Sequence, residues 1–178
     1  METPLTPLEF LRRARRLHGG REAVVDGAQR WTYEAFGDRC DRWSSVLHGM
    51  GVGPGDRVAY IAPNSHAQLE AFYAVPQLGA VLVPLNFRLI AEDFKYLIQH
   101  SGAKVVCASA DYLDAVDFIR ASLPDVTHFV ALDRGGDACR DSAGVVARRP
   151  ARHSGFVHGR RARRGGTYRF HPQGAGLR

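Results

Sequence analysis

The stretch Pro54-Gly-Asp-Arg-Val-Ala-Tyr-Ile-Ala-Pro-Asn-Ser-His-Ala-Gln-Leu-Glu-Ala-Phe-Tyr-Ala-Val-Pro-Gln-Leu-Gly-Ala-Val-Leu-Val-Pro-Leu-Asn-Phe-Arg-Leu89 decides the fold. Arg57 to Ala62 is an apolar run of strand length, bounded by Gly53-Pro54-Gly55 and Pro63-Asn64-Ser65, and reads as a buried strand. Ser65 is the expected N-cap of a helix in which Leu69, Phe72, Tyr73, Val75 and Leu78 recur at helical spacing and cover the sheet. Gly79 is placed to close that helix in a left-handed conformation, and Pro76 to kink its last turn or end it early. Ala80 to Leu85 is again continuously apolar, the pattern of a parallel strand covered on both faces. Two parallel strands joined by a helix make a right-handed βαβ unit.

The same rhythm runs outward in both directions. Glu22–Asp26 and Arg30–Thr32 flank Gly27-Ala28, a hairpin signal. Thr32 then opens a helical pattern through Tyr33, Phe36, Cys40, Trp43, Val46 and Leu47 that Gly49 and Gly51 end. Glu34 sits one position early for a capping box, yet still favours the helix dipole. Downstream, Ala91–His100 reads as a helix with Phe94, Leu97 and Ile98 on one side, followed by a strand at Lys104–Cys107. Asp111–Leu123 repeats the helix with Tyr112, Leu113, Val116, Phe118 and Ile119, and Pro124 stops it before a strand at His128–Leu132. The alternation predicts an α/β fold, a partial doubly wound, mostly parallel sheet with helices on its faces.

A chain of 178 residues suffices for one domain with a real core and is short for two. Leu5–Leu17 interleaves Leu8, Leu11 and Leu17 with Arg12, Arg13, Arg15 and Arg16, so it lacks the unbroken apolar core of a signal peptide. Cys40, Cys107 and Cys139 have no metal-ligand spacing; thiols in a reducing compartment, and hence the cytoplasm, are the expectation.

Charge divides the chain. Residues 1–133 carry 13 Lys+Arg against 16 Asp+Glu, a net of −3, whereas 134–178 carry 11 Arg against 2 Asp, a net of +9, which together give the overall +6. The second segment has no Ile, Met, Trp or Lys, and Leu177 is its only Leu. Such a composition cannot bury enough apolar surface to offset ordering entropy, so disorder is expected there.

Several motifs in fixed order resemble the adenylate-forming, AMP-binding acyl-CoA synthetases. Trp31-Thr32-Tyr33-Glu34-Ala35-Phe36 is similar to the family's early Thr-Tyr motif, and Leu78-Gly79-Ala80-Val81-Leu82-Val83-Pro84-Leu85-Asn86 to its strand ending in Val-Pro-Leu-Asn. Arg88-Leu89, Glu92, Tyr96-Leu97-Ile98 and Ser101–Lys104 continue the series, so the resemblance spans about Leu8 to Asp133. It implies a parent reaction in which a fatty or other carboxylic acid, ATP and CoA give acyl-CoA, AMP and pyrophosphate through an acyl-adenylate. ATP, Mg²⁺ and CoA are the implied cofactors, and the small-molecule acid the partner. On this reading residues 1–133 are the N-terminal part of the large domain, and 134–178 are a frameshifted, disordered basic tail. Back-translation of Thr167-Tyr-Arg-Phe-His-Pro-Gln-Gly174 one base forward permits Thr-Gly-Ser-Thr-Pro-Lys-Gly, similar to the family's phosphate loop. The competing reading is a small cytoplasmic α/β module whose Arg160-Arg161-Ala162-Arg163-Arg164 cluster binds nucleic acid, with Tyr168 and Phe170 stacking on bases.

The family's phosphate loop, its ribose-gripping acid and its mobile catalytic lysine have no in-frame counterparts in this sequence. No catalytic, cofactor-binding or metal residue is therefore assigned, and the chain alone is expected to be inactive. Gly79 and Pro84 read as structural, and Asn86 as a turn residue bonding its own backbone. Arg88 and Lys95 are candidates for a CoA phosphate but read better as solvated cations. His48, His66 and His100 have no Ser, Cys or Asp partner at catalytic spacing. Asp111, Asp114 and Asp117 lack the glycine turn and closing Glu of a calcium loop, and read as a solvated face. A sheet that stops where its next strand belongs is expected to leave an open edge and to fold poorly.

Overall fold

Hairpin, helix and βαβ signals assemble into two sheets and five α-helices among the described residues of the computed structural model, which are 6–132 and 146–148. Helix α1 (Pro7–His18) leads into the antiparallel hairpin β1 (Glu22–Asp26) and β2 (Gln29–Thr32), whose turn is made by Gly27 at φ +58°. Helix α2 (Tyr33–Gly49) starts where the Thr32 hydroxyl accepts the Ala35 N–H at 3.2 Å, so the cap forms without the full capping box. Then follow β3 (Arg57–Ile61), α3 (His66–Gln77), β4 (Val81–Leu85), α4 (Ala91–Ser101), β5 (Val105–Ser109), α5 (Leu113–Ile119) between two 3₁₀ turns, and β6 (His128–Leu132). The last described element is β7 (Val146–Arg148).

The main sheet has the order β4-β3-β5-β6-β7, parallel from β4 to β6, with β7 antiparallel on β6. The chain steps from β3 to β4 on one side and returns past β3 to β5 on the other, so strand order reverses between β3 and β5. Right-handed crossovers then place α3 and α4 on opposite faces. Val58, Ile61, Val105, Val106 and Val130 are fully buried between the helical layers. Within that core the Trp43 indole N–H donates to the Tyr60 hydroxyl at 2.6 Å, and the hydroxyl donates to the Cys107 thiol beside it in the sheet register. Burial pushes both the Tyr60 phenol and the Cys107 thiol up, so both stay protonated.

Three expectations are corrected. Leu69 and Phe72 do not cover the sheet: the buried face of α3 is Ala67, Glu70, Ala71 and Ala74, with Val75 beside them, because small side chains let α3 approach its neighbours closely. Strand β4 is an edge strand with Val81 and Pro84 exposed, so its unbroken apolar pattern is not matched by burial on both faces. The edge of β6 is not open, since β7 pairs with it; that pairing uses backbone groups and needs no apolar side chains. The rest of the 134–178 tail lies outside the described residues. Pro76 lies inside the last turn of α3, which runs to Gln77, and Gly79 follows at φ +67°. A Cβ there would lie 3.3 Å from the Pro54 ring.

Side chains stitch the N-terminal edge of the sheet. Arg57 donates to the carbonyls of Ser101, Gly102 and Gly55 at 2.8 to 2.9 Å, and Lys104 to Gly51 O at 2.5 Å and to Asp56 at 2.8 Å. No helix among the described residues is long and apolar enough to cross a membrane.

Tyr60→Phe keeps the ring and strands the buried Trp43 N–H without its acceptor. It is expected to lower unfolding stability by about 1–3 kcal/mol in urea titrations, with little change in the dependence on denaturant.

Candidate functional site

In an open α/β sheet the place for a ligand is the crevice beyond the carboxyl ends of the strands where strand order reverses. Here that is the rim above β3 and β5. Strand β3 leaves through Ala62-Pro63-Asn64-Ser65 into α3, β5 through Ser109 into the 3₁₀ turn Ala110–Tyr112, and β4 through Asn86-Phe87-Arg88-Leu89 into α4. The Phe87 and Tyr112 rings meet with centroids 5.9 Å apart and planes at 56°. The Arg88 guanidinium lies over the Phe87 ring at 5.5 Å. Asn86 Oδ1 accepts the Arg88 N–H at 3.1 Å, as the turn reading of Asn86 expects. The rim thus offers an aromatic wall with one cation on it.

It does not offer a phosphate cradle. The turn after β3 has no glycine, and Pro63 has no N–H to give an anion. No group of three or more His, Cys, Asp or Glu among the described residues is placed to hold a metal ion. Asp111, Asp114 and Asp117 follow one another along one helical segment, with Asp117 4.0 Å from Arg120. Lys95 pairs with Glu92 at 3.1 Å on the surface, and His100 stacks on Tyr96. The Cys40 thiol is pushed up by burial first and by the Glu70 charge second, so neither described cysteine is a ready nucleophile.

A second polar cluster, not anticipated from sequence, lies between the hairpin, α2 and α3. Arg39 on α2 and Glu70 on α3 form an ion pair with side chains only 5% and 2% exposed, and the Arg39 guanidinium also lies 5.1 Å from the Trp31 ring centroid. Asp26 at the end of β1 accepts both the backbone N–H of His66 at 3.0 Å and its ring Nδ1–H at 2.6 Å. The Trp31 ring lies tilted against the same imidazole, with centroids 4.4 Å apart and planes at 37°. His66 thus gains the Asp partner that sequence spacing did not reveal, but its Nε2 is buried with no hydrogen-bond partner. This carboxylate-imidazole pair fastens a hairpin to a helix N-terminus and is not a site open to substrate. The signal available in the sequence was a pair of charges, Arg39 and Glu70, at positions that helical periodicity places beside core residues.

The sequence profile of the AMP-binding enzyme family matches residues 10–154, and the chain belongs to that family. It is 42% identical over 110 residues to the peroxisomal acetate/butyrate–CoA ligase AAE7 of Arabidopsis thaliana, an overlap of 62% of this chain and 19% of that one. With the long-chain-fatty-acid–CoA ligase of Thermus thermophilus it shares 38% identity over 137 residues, 75% of this chain and 25% of the relative. The crystal structure of the N-terminal domain of FACL13 from Mycobacterium tuberculosis superposes with a TM-score of 0.68 at 32% identity, over 83% of this chain and 38% of that one. The chain therefore spans about a fifth to a quarter of the length of these two ligase relatives.

Two outcomes follow for the buried cluster. Glu70→Ala leaves the Arg39 charge buried without its carboxylate and is expected to cost about 3–5 kcal/mol in chemical denaturation. Asp26 is held below its ordinary carboxylate range by the His66 backbone N–H first and by the imidazole second. Its contribution is fully present above the unfolded carboxylate pKa and is lost as pH falls through the lower folded value. Thermal melts of Asp26→Asn should lie below those of the parent at pH 6, and the gap should close as pH drops below about 4.

Proposed function

We propose that this chain is the opening segment of an ATP-dependent acyl-CoA synthetase, supplying scaffold and one wall of the ligand cleft, and that it does not catalyse by itself. The parent reaction activates a fatty or other carboxylic acid with ATP to an acyl-adenylate, then transfers the acyl group to the CoA thiol. Both half-reactions demand positive charge and hydrogen-bond donors fixed around phosphoryl oxygens.

The observation that carries the reading is the contrast at the rim. The motif series ends on a built aromatic wall, with Phe87 against Tyr112 and Arg88 over Phe87, whereas the turn after β3 is closed to phosphate by Pro63 and lacks glycine. A wall of this kind excludes water and orients an apolar or planar group without moving a proton. The charge-stabilising groups of the reaction belong to the length of the relatives that this chain does not span.

Purified 178-residue chain incubated with ATP, Mg²⁺, hydroxylamine and a panel of short, medium and long carboxylic acids is expected to yield no ATP-dependent acyl-hydroxamate above a protein-free blank. ATP-dependent product from the chain alone would overturn the reading of it as an incomplete scaffold.

A further inference from the structure

Helix α1 meets the body of the protein through Leu11 and Arg15. Leu11 is buried with Val24, Phe36 and Cys40, and the Arg15 guanidinium reaches Asp38 and Asp41 on α2, each at 2.7 Å. Gly37 makes room for that reach, since a Cβ there would run into the Arg15 side chain. These contacts fix which way the helix faces. Its opposite side carries Phe10, Arg13 and Leu17 at i, i+3 and i+7, with Arg16 beside them. Phe10 is 66% exposed and Leu17 53%, and Arg12, Arg13 and Arg16 are exposed with them.

The positive charge on that side is not compensated. Arg12 pairs with Glu9 within the helix and Arg15 is engaged by α2, whereas Arg13 and Arg16 have no acidic partner among the described residues. His18 and Arg21, both exposed, extend the basic surface past the end of the helix. Cations in a last turn suit the helix dipole, which accounts for Arg16 but not for a phenylalanine and a leucine standing in water next to it. Apolar side chains in line, flanked by arginines, suit a helix that lies in the plane of an anionic bilayer. The apolar groups enter the boundary between headgroups and acyl chains, and the guanidinium groups stay among the phosphates. Phe10 and Leu17 are two turns apart, about 10 Å along the axis, so both enter together when the helix lies flat on the surface. A nucleic acid would also meet the arginines, but Leu17 has neither a charge for a phosphate nor a ring for a base.

We propose that the Phe10–Arg13–Leu17 face of α1 is a peripheral docking surface for anionic phospholipid bilayers. The attachment is weak and reversible, because two apolar side chains and two uncompensated arginines hold far less firmly than a spanning segment. Salt screens its electrostatic part. It does not depend on the synthetase reading. The 134–178 segment carries 11 Arg and would be drawn to the same lipids by charge alone, so the deciding measurement is one made on α1 itself.

Vesicles of equimolar phosphatidylcholine and phosphatidylglycerol are titrated into the 178-residue chain carrying Phe10→Trp. The introduced indole is expected to shift its emission to shorter wavelength and to be quenched by lipids brominated in their acyl chains. The control Phe118→Trp, on the exposed side of α5, shows neither change, and vesicles of phosphatidylcholine alone leave both chains unshifted. Adding Arg13→Gln and Arg16→Gln to Phe10→Trp is expected to raise the lipid concentration for half the shift by about tenfold. Circular dichroism shows the helix content of each variant unchanged. An indole at position 10 that stays in water while the chain sediments with the vesicles leaves the attachment to the Arg-rich segment and overturns the proposal. Equal shifts on neutral and anionic vesicles overturn it too, as does a half-shift concentration that the two arginine substitutions do not move. Binding of poly(U) RNA that those substitutions abolish, with no indole shift on vesicles, makes nucleic acid the occupant and also overturns it.

Discussion

Arg39 and Glu70 meet between α2 and α3, nearly out of reach of water, and the upper layer of the molecule is arranged around that meeting. Neither charge can be left alone in so apolar a place, so the two helices are held at the one separation and rotation that lets the pair close. The separation in turn requires alanines on the inner face of α3. The Trp31 ring bordering Arg39 also touches the His66 ring, which carries the constraint to the hairpin and, through Asp26, back to the first turn of α3. An ion pair of this kind adds little net stability over a well-packed apolar substitute, but it penalises every arrangement in which the partners miss.

What could be read from sequence, and what could not, divides along physical lines. The hairpin, the caps at Thr32 and Ser65, the left-handed Gly79 and the strands at Arg57 and His128 follow from local backbone chemistry, and each stands where its turn residues put it. The facing of α3 did not follow, since periodicity weights large side chains and the close approach of helix to sheet is made by small ones. The edge position of β4 was hidden for a related reason: an apolar run reports the side chains of one strand and not which strands flank it. Asp26 and His66 are 40 residues apart and Arg39 and Glu70 are 31 apart, distances over which no spacing rule operates.

The candidate site was legible in outline. The doubly wound alternation points to the carboxyl ends of the strands, and Asn86 and Arg88 were singled out there as turn residue and surface cation. The contact of Phe87 with Tyr112 was not foreseen, because it joins the exit of β4 to the turn after β5 and depends on strand order, which the sequence leaves open.

The stitching by Arg57 and Lys104 has a further meaning when set against the rim at the other end of the strands. At the amino ends, long cationic side chains clamp loop carbonyls of two connections, α2 to β3 and α4 to β5; at the carboxyl ends the turn after β4 is held by the short local bond of Asn86 to Arg88. Cohesion is thus concentrated at the end of the sheet away from the ligand crevice. The rim can exchange residues, lengthen its loops or change the shape of its aromatic wall without loosening the sheet beneath.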